Sequence, residues 1–253
     1  MMIRRPSSTL RFPPPLVTLL TLLALALPGL ASAQGTARPT RVVILPFDAE
    51  GAITSYQLGL PTALQHALNQ IPGLYVPPVG DAALMANKAV DTEQDVQALL
   101  TRVFGADAVI TGRVVTGGGG VITEINVTSA SGVQPLQAQG AGPAELVAVA
   151  AEAIAEIVKP DAGADALAGV RIAAEQTPSV ASLGPTGLAA SGLPGVSVDQ
   201  LNTAAQLDSG SAWVAAEFAR VLALSGARDQ AVEQAKRAAE LAPNDAEVQA
   251  LVG

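Results

Sequence analysis

Residues 212–245 have the sequence AWVAAEFARVLALSGARDQAVEQAKRAAELAPND, and this stretch decides the fold of the C-terminal part of the chain. Small residues recur where two antiparallel helices would touch, with Ala219 in the first predicted helix and Ala231 in the second. Gly226 lies at the expected turn, and Pro243 ends the unit because proline cannot continue a helix. The pattern predicts a helical hairpin, a structure that offers a surface for binding and carries no chemistry of its own.

A weaker form of the same pattern precedes it at 179–208. Leu201 and Ala204 match the second helix, and Gly192 matches the turn. Pro185 and Gly187 fall inside the expected first helix, so this helix is predicted to be distorted or partial. A further helix is predicted upstream, from Ala166 to Gln176.

These helical segments resemble tetratricopeptide (TPR) repeats, whose unit is about 34 residues long. The resemblance is close for 212–245 and weak for 179–208. It implies an all-α, TPR-like segment over 164–253 that binds other proteins. Repeats of this kind stack against their neighbours and form an extended binding surface.

The preceding part of the chain, 34–158, has the pattern of a small mixed α/β domain. Arg41 to Phe47 is an apolar, β-branched run that predicts a buried strand. Helical and strand patterns then alternate in the order β-α-β-α-β-β-β-α, ending in a helix over 144–158. The cluster Lys159-Pro160-Asp161-Ala162-Gly163 marks the predicted boundary with the helical segment. The predicted fold class is therefore α+β, with an α/β domain followed by helical repeats.

Two patches of this first domain resemble the amino-terminal domain of the TolB family. They are RVVILPF at 41–47, similar to that domain's opening strand, and FGADAVITG at 104–112, similar to its helix-to-strand segment. The resemblance covers about 41–158 and implies a part in protein complexes of the bacterial envelope, without a catalytic centre. The C-terminal half departs from TolB because it has no β-propeller pattern, so no role in the Tol system is carried over.

The N-terminus has the pattern of a signal peptide. Arg4, Arg5 and Arg11 make it basic, Leu16 to Leu27 is an apolar run, and Ala31-Ser32-Ala33 is a small-x-small cleavage signal. The apolar run is shorter than the roughly 20 residues that a membrane-spanning helix needs. We therefore expect 1–33 to be removed, and the mature protein to be periplasmic or secreted and not an integral membrane protein.

Composition excludes several kinds of function. The chain has no cysteine, which excludes disulfides, thiolate metal sites, a cysteine nucleophile and a lipid-modified N-terminal cysteine. Three of the 14 basic residues and none of the 22 acidic ones precede Gln34, so the net charge from there on is −11. An acidic chain repels nucleic acid and anionic membranes. A protein or peptide is the predicted partner.

No set of residues in the α/β domain predicts catalysis, a cofactor or a metal. Gly117 to Gly120 lack the following Lys-Ser/Thr of a phosphate loop, and a hairpin turn is predicted. His66 is the only histidine; at 100° per residue it lies opposite the leucine stripe of its helix, so we expect it in solvent. Asp107 is expected to bond backbone amides at a turn. Asp91, Glu93 and Asp95 are typical of an acidic helix start.

Two features of 212–245 suggest partner binding, each with a structural alternative. Trp213 is either a peptide anchor or packed between neighbouring repeats. The basic residues Arg220, Arg228, Lys236 and Arg237 either receive an acidic peptide or form solvated helix faces. The sequence as a whole favours a non-enzymatic envelope protein that scaffolds or recruits others through its repeats. The alternative is an α/β domain that binds a small ligand and is coupled to such a partner.

Overall fold

A computed structural model describes residues 38–87, 93–117, 119–245 and 248–250, with the side chains of 93–95 left aside. Several predictions from the sequence fall outside this set. They concern the signal peptide and its cleavage site, the acidic helix start around Asp91, and Gly118 of the glycine run. No helix in the described ranges is long and apolar enough to cross a membrane.

The described residues form a mixed α/β structure, as predicted. In chain order the elements are β1 (Thr40–Ile44), α1 (Tyr56–Leu68), β2 (Leu74–Tyr75), α2 (Val79–Ala86), α3 (Glu93–Phe104), β3 (Ala108–Gly117), β4 (Gly120–Ser129), β5 (Gly132–Gly140), α4 (Pro143–Val158), α5 (Ala164–Glu175), α6 (Val180–Ser191), α7 (Val198–Leu207), α8 (Ala212–Leu224) and α9 (Arg228–Leu241). A short 3-10 turn at Gly51–Ile53 precedes α1.

The strands form one sheet in the order β2-β1-β3-β4-β5. β1 runs parallel to β2 and β3, whereas β3, β4 and β5 are antiparallel neighbours. Gly117 pairs with Gly120 at the end of the β3–β4 ladder, and Gly119 has φ +83°. The glycine run is therefore the predicted hairpin turn, since glycine adopts positive φ without steric cost.

Helices cover both faces of the parallel part of the sheet. On one face, Val42 and Ile44 of β1 join a large core with residues of α1 and α4. On the other face, Val43 packs in a smaller cluster with Ala82 of α2 and Leu100 of α3. Successive residues of β1 are buried for this reason, as is usual for strands covered on both sides.

The β4–β5 hairpin leaves one of its faces to solvent. Ile125 and Val127 are buried, while Glu124 and Asn126 are exposed, so side chains alternate between a covered and a wet face. β5 contains Pro135, which is paired with Asn126. The turn between Ser129 and Gly132 has two residues. Counting pairs from this turn, Asn126 and Pro135 form a non-hydrogen-bonded pair, so the proline nitrogen faces the free edge of the sheet.

The helix over 180–191 is continuous and therefore not partial, although it contains Pro185 and Gly187. Pro185 lies in its second turn and removes the bond that its N–H would have donated to the Ala181 carbonyl. Ala181 is solvent-exposed. The helix ends at Gly192, which has φ +71°. Gly226 likewise has φ +86° at the turn between α8 and α9, where a helical hairpin was predicted.

Helix α1 lies at the centre of the molecule. It packs against α4 and α5 and, most extensively, against α6. The crossing with α6 is close because glycines meet: a methyl group on Gly187 would lie 2.5 Å from Gly59 Cα and 2.7 Å from the Gly59 nitrogen. Leu183 of α6 and Val170 of α5 join the sheet core at this place.

From Pro39 onward the chain forms one compact unit. Its main core joins residues of the sheet with residues of α5, α6 and α8, and so it extends past Lys159–Gly163. Independent folding of the α/β and helical parts remains a prediction. The predicted repeat character of α6 to α9 likewise remains a prediction; the structure gives two successive helix pairs, α6–α7 and α8–α9.

The α1–α6 crossing predicts opposite effects for two helical glycines. Gly187→Ala should destabilise the protein by about 1–3 kcal/mol, because its methyl group would overlap backbone atoms of α1. Gly169→Ala, in α5, should stabilise it by about 0.5–1 kcal/mol, since its methyl group would meet only Gln70 Cβ at 3.5 Å. Denaturant unfolding of the chain from Gln34 onward measures both. Stabilisation by both alanines would contradict the close crossing.

Candidate functional site

A groove of about 520 Å³ lies between α7, α8 and α9. Phe218 and Leu222 of α8 form its floor. Its rim carries carboxylates from both flanking helices, namely Asp199 of α7 and Asp229 and Glu233 of α9. All three rim residues are exposed, whereas both floor residues are buried. The groove is thus acidic at its edge and apolar at its base.

The order of the helices explains why the carboxylates converge. Helices joined by short turns alternate in direction, so α7 and α9 begin at the same end. Each has an aspartate in its first turn, where the helix dipole favours negative charge: Asp199 in α7 and Asp229 in α9. The start of α7 is fixed by a capping box, in which Ser197 and Gln200 bond each other's backbone N–H groups.

Polar groups at the groove are incompletely satisfied within the chain. The Oε1 atom of Gln234 is buried without a hydrogen-bond partner. Glu233 pairs with Lys236 at 3.4 Å, but both side chains are largely exposed, and such pairs contribute little. Of the described residues that line the groove, none is basic. The site therefore offers acceptors and negative charge to whatever enters it.

The predicted exposure of His66 is wrong. Its side chain is 3% exposed, and its ring stacks on Trp213 with centroids 5.8 Å apart and planes 6° from parallel. His66 Nε2 lies 3.0 Å from Asp245 Oδ2. An ionised carboxylate only accepts hydrogen bonds, so this nitrogen carries the proton and donates it. The face of α1 opposite its leucines is covered by the C-terminal helices and not by water.

Asp245 uses its two carboxylate oxygens for different contacts. Oδ2 meets His66, and Oδ1 accepts the backbone N–H of Val248 at 3.0 Å. A carboxylate that bonds the N–H three residues on has the geometry of a helix N-cap. Asp245 therefore ties the chain after α9 to α1, and through α1 to the sheet.

Trp213 is packed and does not offer a peptide anchor at the surface. It is 3% exposed and belongs to the main core. Packing was the structural alternative considered for this residue, but its stacking partner is His66 of α1 and not a neighbouring repeat. Because α1 covers α6 and this end of α8, a partner reaches that face only by displacing α1.

The basic residues of 212–245 do not form one receptor for an acidic peptide. Arg220 donates to buried Glu217 and to the Ala189 carbonyl of α6. Arg237 donates to the Ser209 carbonyl. Arg228 and Lys236 are exposed, which matches the predicted solvated faces for these two.

Asp107 and the possible metal ligands remain to be placed. Asp107 Oδ2 accepts the backbone N–H of Arg41 at 2.9 Å, so it bonds an amide as expected, although on β1 and not within its own turn. Among the described residues, no three His, Asp or Glu side chains are grouped so as to hold a metal ion.

A second depression, of about 440 Å³, lies on the open face of the sheet beyond β1. Asp48, Arg113 and Glu124 line it. Arg113 Nη2 donates to Glu124 Oε2 at 2.8 Å, and this hydrogen bond raises the pKa of the Arg113 guanidinium. Both side chains are about half exposed, so the pair stays accessible to a polar ligand.

Comparison with known proteins gives no match to a protein-family model, to a curated protein or to a solved structure.

The His66–Asp245 contact predicts a large effect for a residue that the sequence alone places in solvent. His66→Ala should destabilise the protein by about 1–3 kcal/mol, because it removes the partner of a buried carboxylate and one ring of a stacked pair. Lys236→Ala, which breaks an exposed pair, should change stability by no more than about 0.5 kcal/mol. Thermal unfolding of both variants measures this; equal, small effects would mean that His66 is not buried.

Proposed function

We propose that the chain is an exported, non-enzymatic protein of the cell envelope that binds a partner protein through the groove between α7, α8 and α9. The predicted signal peptide supports export. The resemblances to TPR repeats and to the TolB amino-terminal domain support work in protein complexes. No catalytic, cofactor or metal site is part of this proposal.

The groove is the observation that carries the proposal. It combines an apolar floor at Phe218 and Leu222 with a polar, solvent-facing rim. The floor residues are already buried, so the exposed rim supplies most of the surface that a partner would contact.

The groove is also the face of the helix pairs that the protein leaves open. Contacts with α1 cover the inner side of α6, through Gly59 against Leu183 and Gly187. Trp213 of α8 is covered by His66. We therefore place the partner on the α7–α9 side, where no described element of the chain lies over the floor.

A second candidate function is binding of a small polar ligand by the α/β domain. The depression beside Asp48, Arg113 and Glu124 favours it, because a cation and two carboxylates there face the same space. Native mass spectrometry of the purified protein separates this function from the first. A retained small molecule that is lost on Arg113→Ala would support it.

Photocrosslinking tests the proposed groove. A benzophenone amino acid is placed at Asn202 or Gln230, two exposed positions that line the groove, in the full chain expressed in an exporting bacterium. We expect a discrete covalent adduct with another protein after irradiation, because a bound partner lies within reach of both positions.

Ile172 of α5, whose residue is 61% exposed, is the control position. A reactive group there should give no such adduct, since it is apolar and accessible but lies away from the groove. The proposal fails if the groove positions give no adduct or if Ile172 gives the same one.

A further inference from the structure

We infer that the groove between α7, α8 and α9 takes a basic peptide segment of the partner, rich in arginine or lysine; this inference rests on the proposed function. It reverses the sign expected from the basic residues of 212–245. Arg220 and Arg237 are tied to backbone carbonyls and Arg228 is exposed, while the accessible groove presents Asp199, Asp229 and Glu233. Of these three acids Glu233 pairs with Lys236, through a contact of 3.4 Å between two exposed side chains.

Charge complementarity selects the occupant. Three carboxylates on two sides of one groove are brought together without a basic residue among the described residues that line it. Like charges gathered in this way repel one another, and an incoming cation relieves that repulsion. An acidic segment would meet repulsion from both sides of the groove.

The floor fits the same chemistry. Phe218 and Leu222 expose little surface, so the groove does not offer a deep pocket for a large apolar anchor. Arginine and lysine have aliphatic stems that cover a small apolar strip while their charged ends remain in water. A guanidinium or ammonium group also donates hydrogen bonds, which the exposed rim carboxylates can accept.

A second copy of this chain fits the groove poorly. The whole chain has a net charge of −8, and the part from Gln34 on has −11. Association of two such surfaces through an acidic groove would bring like charges together. The occupant is therefore a different protein with a locally basic segment.

Fluorescence anisotropy with two labelled peptides tests the inference on the chain from Gln34 onward. One peptide alternates arginine with leucine; the other has glutamate in place of arginine. The first should bind and the second should not. Binding should weaken as salt is raised above about 0.15 M, because exposed charges are then screened.

Two charge-matched variants locate the binding site. The groove variant carries Asp199→Asn, Asp229→Asn and Glu233→Gln. The matched variant carries Glu156→Gln, Asp165→Asn and Glu175→Gln, three exposed acids of α4 and α5. We expect the groove variant to weaken binding of the basic peptide about tenfold and the matched variant to weaken it less than about twofold.

Every other outcome overturns the inference. Equal losses in both variants would mean attraction by net charge alone, and no binding, or binding of the acidic peptide, would mean the wrong ligand class. A change in sedimentation in the groove variant would make a second copy the occupant. If Asn202 or Gln230 gives crosslinks but the peptide test fails, the groove remains the proposed binding site and only the basic character of its partner is refuted. Circular dichroism confirms that both variants fold.

Discussion

The close crossing of α1 and α6 is the constraint on which the rest of the structure depends. Gly59 and Gly187 have no side chains, so the two backbones approach so closely that a methyl group on Gly187 would overlap atoms of Gly59. At this distance α1 is covered on one side by the sheet and on the other by the helix pairs, and most of its residues are buried. A helix that is buried on nearly all sides needs such neighbours around it, and its buried polar residue His66 is bonded to Asp245. The two parts of the chain thus share one core.

Much of the α/β architecture could be predicted because strand and turn signals are local. The apolar run at Arg41–Phe47, the glycines between β3 and β4, and the alternation along β4 each have a periodicity or a turn residue that fixes the element. The error at His66 is of another kind. Its angular position, opposite the leucines of α1, is correct, but angle alone does not say what lies on that side. The covering residues, Trp213 and Asp245, are distant in sequence and carry no local signal.

At the groove, too, the sequence shows which residue types are present but not where the fold places them. Arg220 and Arg237 belong to the basic residues that the sequence offers as a receptor for an acidic peptide, yet tertiary contacts direct both guanidinium groups to backbone carbonyls. Asp199 and Asp229 are far apart in the chain and each looks like an ordinary first-turn aspartate. Only the parallel course of α7 and α9 sets them on facing sides of one groove. The sequence does contain one signal for the groove, namely an acidic residue in the first turn of two alternate helices. This signal can be interpreted only when the order and direction of the helices are known.

The contact between α1 and the end of α9 has a consequence for how the chain is made. His66 and Asp245 are 179 positions apart, and a ribosome delivers the N-terminal residue of such a pair first. The hairpins β3–β4 and β4–β5 join neighbouring strands through short turns and form from local contacts, whereas contacts of long sequence separation form slowly. The two hairpins can therefore form while α1 still has one face in water, and that face is covered only when the helices that follow it in the chain are also present.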